Sequence, residues 1–176
     1  MKPQTILLTG STGYIGRRLL PVLLEQGHQI VCLVRDKRRF DYEDFTEEQL
    51  NRISVYEADL TNPASLEKLP LHIDFAYYLV HSMSTAEDFA AMEQESAGNF
   101  VNYINRTNAQ QIIYLGGIVN DPSLSVHLSS RKNVEDILAQ CTAALTVLRA
   151  AIIIGSGSAS FEIIRDLVEK LPVMIA

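Results

Sequence analysis

The residues best suited to chemistry form one short run, Thr9-Gly10-Ser11-Thr12-Gly13-Tyr14-Ile15-Gly16. An apolar stretch, Thr5-Ile6-Leu7-Leu8, precedes it and an amphipathic segment, Arg17 to Gln26, follows. Strand, glycine turn and helix in that order bring the pyrophosphate of a dinucleotide onto a helix N-terminus. The first turn of a helix has unpaired N–H groups and a partial positive charge, and a phosphate uses both if no Cβ stands in its way. Gly10 permits the tight turn, Gly13 the close backbone approach, and Gly16 the tight packing of helix on strand. The spacing is G-x-x-G-x-x-G, so the position between strand and helix carries as much weight as the glycines themselves.

Such a turn needs a scaffold. Strand-like runs are read at Thr5–Thr9, Gln29–Val34, Ile53–Tyr56, Phe75–Val80, Gln111–Leu115 and Leu145–Ile154. Several are apolar on both faces, as strands of a covered parallel sheet are. Helical stretches are read at Gly13–Gln26, Pro63–Leu69, Thr85–Asn105, Ser129–Gln140 and Ala159–Leu171. Pro63 after Asn62 and the Ser84–Glu87 spacing mark helix starts. Repeated alternation of this kind predicts an α/β fold, a doubly wound parallel sheet in one domain over residues 1–176. Phe89, Met92, Phe100, Val101 and Ile104 are expected to form a core-facing stripe. Arg35–Leu50 turns from basic to acidic and reads as a connection with at most one helical turn near its end. Residues 171–176 read either as the entry to a further C-terminal part or as a short edge strand or frayed tail.

Composition narrows the function classes. The 176 residues are 47% hydrophobic, enough for a real core, and carry a net charge of −6, a poor match to nucleic acid. No apolar run approaches the ~20 residues of a membrane span. Met1–Gln4 runs straight into a strand and is read as carrying no secretory signal. Cys32 and Cys141 lack metal-ligand spacing, and Cys32 falls in a strand-like run as a small core residue. These features fit a reducing cytoplasm.

In order along the chain stand the glycine turn, Val34-Arg35-Asp36, Ala58-Asp59-Leu60, Tyr78-Leu79-Val80-His81-Ser82-Met83, Ile113-Tyr114-Leu115-Gly116-Gly117 and Leu148-Arg149-Ala150-Ala151-Ile152-Ile153-Ile154-Gly155. The set resembles the short-chain dehydrogenase/reductase superfamily, in particular its atypical, extended branch near nucleoside-diphosphate-sugar epimerases and NmrA-like NAD(P)-binding proteins. The resemblance implies a Rossmann fold and a dinucleotide held by Gly10, Ser11, Thr12, Gly13, Tyr14, Ile15 and Gly16. It also implies a C-terminal substrate-binding part beyond this chain. By the same resemblance Asp59, beside Leu60, meets the adenine amino group, or else serves as a turn aspartate before Thr61-Asn62-Pro63. Leu79, Val80 and His81 line the adenine ribose and diphosphate, with a polar strand end the alternative for His81. Arg35 ends the second strand, where arginine accommodates the 2′-phosphate of NADP and an acid would grip the 2′-hydroxyl of NAD. Lys37, Arg38 and Arg39 add positive potential, so NADP is the expected cofactor, while Asp36, one residue on, keeps NAD open.

Active members of the superfamily usually carry serine and Tyr-x-x-x-Lys. Here Gly116-Gly117 stand at the serine position, His127 at the tyrosine position and Arg131 at the lysine position. Two readings follow. His127 exchanges protons near neutrality while Arg131 holds ribose hydroxyls, giving an NADP-dependent oxidoreductase or epimerase-like enzyme on an unknown small-molecule substrate. Alternatively, His127 only begins a helix, and the chain is a non-catalytic NAD(P)-sensing or regulatory module. A structural subunit with a vestigial nucleotide site is a third class. Ser82 is a further proton donor to consider, and the Thr85–Asn105 helix is available as an interface for a homo-oligomer.

Overall fold

The computed structural model describes residues 2–80, 89–118 and 126–170. Six strands, β1 (Thr5–Thr9), β2 (Gln29–Val34), β3 (Ile53–Glu57), β4 (Phe75–Tyr78), β5 (Gln111–Gly117) and β6 (Ala144–Ala150), form one sheet in the order β3-β2-β1-β4-β5-β6. Every pairing is parallel. The helices are α1 (Tyr14–Glu25), α2 (Glu47–Leu50), α3 (Phe89–Ile104), α4 (Val126–Leu138) and α5 (Ala159–Lys170), with 3₁₀ turns at Lys37–Arg39 and Pro63–Lys68. The doubly wound α/β architecture read from the alternation is the architecture observed.

Both sheet faces are covered at β1 and β2, which is why those strands read as continuous apolar runs, whereas Leu148 of β6 is 53% exposed. On one face Leu20, Leu23 and Leu24 of α1 pack on Ile6, Leu8, Ile30 and Cys32. On the other, Phe100 and Ile104 of α3 and Val134 and Leu138 of α4 pack on Leu7, Val31, Tyr78 and Tyr114. The alternation Ile6, Leu7, Leu8 thus serves two cores at once. Burial pushes the Cys32 thiol up to about 12, as suits a core residue.

Several expectations change in detail: the helix read from Ser129 begins at Val126, and the Arg35–Leu50 connection carries a 3₁₀ turn at Lys37–Arg39 besides the short helix at its end. The fourth strand stops at Tyr78, so Leu79 and Val80 lie past its end. The sixth ends at Ala150, and Ile152 and Ile154 stand exposed beyond it. In the helical stripe Phe100, Val101 and Ile104 are buried as expected, but Met92 is 44% exposed. Met92 stands in the first turn of α3 and lines a cleft instead of the core. Ser84–Glu87 and residues 171–176 lie outside the described residues.

The chain winds away from β1 toward β2 and from β4 toward β5, so the direction reverses between β1 and β4. Open α/β sheets bind ligands at the carboxyl ends of the strands beside such a reversal. The Gly10–Gly16 turn lies there, between β1 and α1.

Candidate functional site

Gly10 takes φ +69°, and a Cβ on it would lie 2.9 Å from the Leu79 carbonyl oxygen. Its own carbonyl accepts the Gly13 N–H at 2.9 Å. Gly13 occupies the helix cap position, and no side chain closes the first turn of α1. The open N–H groups of that turn are the groups an anion uses. Gly16 is buried under the turn, where a Cβ would come within 2.2 Å of the Gly10 oxygen. Thr9, fully buried, ties the two central strands together just before the turn. Its hydroxyl donates to the Tyr77 carbonyl at 3.0 Å and accepts from the Leu79 N–H at 3.0 Å. That clamp fixes Leu79 against Gly10. Sequence reasoning gave Thr9 no role, because its partners lie 68 and 70 residues away.

A cleft of about 300 Å³ runs from this turn along the strand ends. Toward β2 and β3 its wall includes Arg35, Asp36, Arg39, Asp59, Leu60 and Thr61. Asp36 is committed elsewhere. One of its carboxylate oxygens accepts the Arg38 N–H at 3.0 Å and Nε at 2.9 Å, and the other accepts Arg38 Nη2 at 2.9 Å. The Arg38 guanidinium, and after it the Arg38 amide, hold the Asp36 carboxyl below its ordinary 3.8. Arg35 and Arg39 make no ion pair among the described residues and stand in this wall beside the cleft, where the Arg39 charge also acts on Asp36. The Asp59 Oδ1 accepts from the Thr61 N–H at 2.9 Å and the Thr61 hydroxyl at 2.8 Å, which is the turn-aspartate arrangement. The same residue lines the cleft, and its Oδ2 has no hydrogen bond among the described residues.

Toward β5 the wall changes character. Tyr78, Leu79 and Val80 give way to Met92, Glu93 and Ser96 of α3, then to Tyr114, Leu115 and Arg131. Glu93 is only 9% exposed, and its Oε2 accepts from the buried Ser130 hydroxyl at 2.5 Å. The Tyr114 hydroxyl donates to the Arg131 carbonyl at 3.3 Å. Burial, with smaller contributions from the Glu93 and Glu135 charges, pushes the Tyr114 phenol up to about 12 against the opposing pull of Arg131. Burial likewise raises Tyr78.

The structure therefore gathers Gly10, Thr12, Gly13, Arg35, Asp59, Leu60, Leu79, Val80 and Arg131 on one cleft. Ser11 is buried beneath the turn and lines a smaller neighbouring cavity, while Tyr14 and Ile15 begin α1. His81, Ser82 and Ser125 lie outside the described residues. His127 falls in the first turn of α4, its side chain outside the described residues. Gly116 and Gly117 end β5 and supply no hydroxyl. Glu93 and Ser130 escaped sequence reasoning. The available signal was an acidic residue on a helix whose other inward positions, Ser96 apart, are apolar. Among the described residues no group of three or more His, Cys, Asp or Glu is arranged to hold a metal, and no helix is long and apolar enough to cross a membrane.

Fold and cleft define a Rossmann-type dinucleotide-binding architecture, and residues 6–121 match the NAD dependent epimerase/dehydratase family, to which the chain belongs. The ceramide reductase of Caulobacter vibrioides is 24% identical over 171 residues, 96% of this chain and 52% of that protein. Among solved structures, WbmH of Bordetella bronchiseptica in complex with NAD+ aligns with a TM-score of 0.73 at 19% identity, covering 94% of this chain and 62% of that one. The NADPH-dependent quinone oxidoreductase QOR2 of Escherichia coli, complexed with NADPH, aligns at 0.62 and 22% identity, covering 82% and 48%. At these identities the structural likeness speaks for the fold. The chain spans about half the length of the ceramide reductase.

Proposed function

We propose that this chain binds NADP(H) along the switch-point cleft and forms the coenzyme-binding part of a reductase or epimerase-like enzyme acting on a small molecule. The glycine turn fits a dinucleotide: it presents an uncapped helix N-terminus and leaves no Cβ over the approach. The observation that carries the choice of NADP is the Asp36–Arg38 pair. An acid gripping a 2′-hydroxyl here would have to share its carboxylate with Arg38, which already makes three hydrogen bonds to the two Asp36 oxygens. Arg35 and Arg39 remain to meet a 2′-phosphate, whose geometry a guanidinium matches with two parallel hydrogen bonds. In this reading Gly10 to Gly16 hold the pyrophosphate, Leu79, Val80 and His81 border it, and the second Asp59 oxygen takes the adenine amino group. A bound nicotinamide supplies the hydride chemistry. Arg131, permanently charged, orients the ligand at the β5 end, and His127, one helical turn before it, exchanges the proton. Two free cysteines agree with a reducing cytoplasm.

Thermal unfolding with NADPH and with NADH tests the binding. Ligand at about 100 times its Kd adds ~2.7 kcal/mol, which for a chain of this length raises Tm by about 5–11 °C. A larger shift with NADPH than with NADH at equal concentration is expected, and no shift with either sinks the proposal. The second reading, a non-catalytic NAD(P)-binding module, draws on the two glycines ending β5 where active relatives carry a serine. Both readings require coenzyme binding. Oxidation of NADPH by a quinone, aldehyde or sugar nucleotide, measured on a chain that includes the C-terminal part, separates them.

A further inference from the structure

We infer that Glu57, at the carboxyl end of β3, is a positioning residue for coenzyme selectivity: it tethers the Lys37–Arg39 turn and thereby holds Arg39 at the adenosine end of the cleft. The inference rests on the NADP reading above. Register places Glu57 beside Val34, the last residue of β2, and the Ala58 N–H donates to the Val34 carbonyl at 2.9 Å. The two strands are therefore still joined where the chain leaves β2 for the turn. From there the Glu57 Oε2 accepts the Lys37 N–H at 2.9 Å.

A 3₁₀ turn opens with N–H groups that have no partner inside it. Here the Arg38 N–H goes to the Asp36 Oδ1 at 3.0 Å, the Arg39 N–H to the Asp36 carbonyl at 3.2 Å and the Phe40 N–H to the Lys37 carbonyl at 3.1 Å. Those three bonds are made within the segment. Of the four N–H groups from Lys37 to Phe40, the first finds its acceptor outside it, on a strand twenty residues on. The far end of the segment has its own anchor in Phe40, 6% exposed and packed against Tyr42 and Phe45. Arg39 stands between the two anchors. Arg35 follows β2 directly and needs no turn to place it. The Glu57 carboxylate is exposed, its charge acts on Arg38, and that charge has the wrong sign for a neighbouring phosphate. Tether and charge thus pull NADPH affinity in opposite directions. A carboxamide separates them, because it keeps the acceptor and drops the charge.

Calorimetry with NADPH and NADH on the wild-type chain, Glu57→Ala and Glu57→Gln reads the effect. Glu57→Ala should lower the ratio of NADPH to NADH affinity about three- to tenfold, the scale of one hydrogen bond. Glu57→Gln should restore the wild-type ratio or exceed it. In an Arg39→Ala background, Glu57→Ala should change the ratio less than about twofold, because the arginine it positions is gone, while in an Arg35→Ala background its effect should persist. A ratio unchanged or raised by Glu57→Ala overturns the inference, as does a Glu57→Gln variant equally impaired. Equal loss for both coenzymes, the mark of a merely structural bond, also overturns it, and so does an undiminished effect in the Arg39→Ala background. A wild-type chain that prefers NADPH and ignores Glu57→Ala defeats the inference alone. A wild-type chain that binds both coenzymes without preference defeats the NADP reading and the inference with it, and one that binds neither defeats the dinucleotide reading itself.

Discussion

Gly16→Ala exposes the logic of the turn most directly. The added Cβ would lie 2.2 Å from the Gly10 oxygen, 2.7 Å from the Ser11 Cα and 2.9 Å from the Gly10 carbonyl carbon. All three are backbone atoms, so no rotamer change relieves the clash, and the turn itself must move. Overpacking of this kind costs about 1–3 kcal/mol. Alanine recovers at most about 0.5–1 kcal/mol of helix propensity, and less in a first turn. The net loss is about 0.5–2.5 kcal/mol, a drop in Tm of about 1–10 °C for a chain of this size. Moving Gly10 also moves the Gly13 N–H bonded to it, so NADPH affinity should fall at least about tenfold. Gly98→Ala is the control. It sits inside α3 with no heavy atom within 4 Å of a built Cβ, so propensity acts alone and stability should rise by about 0.5–1 kcal/mol. Thermal denaturation with and without NADPH reads both variants. If Gly16→Ala melts at or above wild type and binds NADPH undiminished, the close-packing argument is wrong.

Arg35→Ala should weaken NADPH about ten- to hundredfold, the loss of one charge-assisted contact, while sparing NADH; equal losses in calorimetry would reject the 2′-phosphate assignment. Gly155→Ala brings its Cβ to 2.0 Å from the Tyr14 hydroxyl, a side-chain end that yields by rotation, so the cost should stay below that of Gly16→Ala. That ring is stacked under Arg18, which also donates to the Ser156 carbonyl at 3.0 Å, and Tyr14→Phe in the same chain should restore most of the lost Tm; a Tyr14→Phe background that leaves the deficit intact counts against the contact. Native thiol titration should find Cys141 reactive and buried Cys32 silent until denaturant is added; two fast equivalents would contradict the burial. The same burial sets an alkaline limit. The folded chain keeps the Cys32 proton up to about 12 while the unfolded thiol releases it from its ordinary 9.0, and Tyr114 behaves alike between 10.0 and about 12. Unfolding therefore releases protons in that window and stability falls as pH rises through it, so the denaturant midpoint should drop between about pH 8 and about pH 10.5; a constant midpoint would refute the assignment.

The amino-acid sequence by itself determined the turn and the class of fold. Gly10, Gly13 and Gly16 owe their meaning to a strand before and a helix after, and both are written in local periodicity. Apolar runs such as Gln29–Val34 declared a sheet covered on both faces, and repeated alternation made it parallel. The Asp59 alternatives were legible too, because the Thr61-Asn62-Pro63 segment follows directly. Only the tertiary structure decided which charges remain available and which buried groups meet. In Arg35–Arg39 the sequence offers four cations and one acid, and the 3₁₀ turn at Lys37–Arg39 is what delivers Asp36 to Arg38 and leaves Arg35 and Arg39 on the cleft. Glu93 meets Ser130 across 37 residues because α3 and α4 pack side by side, and Thr9 reaches Tyr77 and Leu79 because β1 and β4 are neighbours. Periodicity fixes which face of an element is apolar. Register and packing between elements distant in the chain fix which polar atoms end up within reach of one another, and no local pattern encodes that.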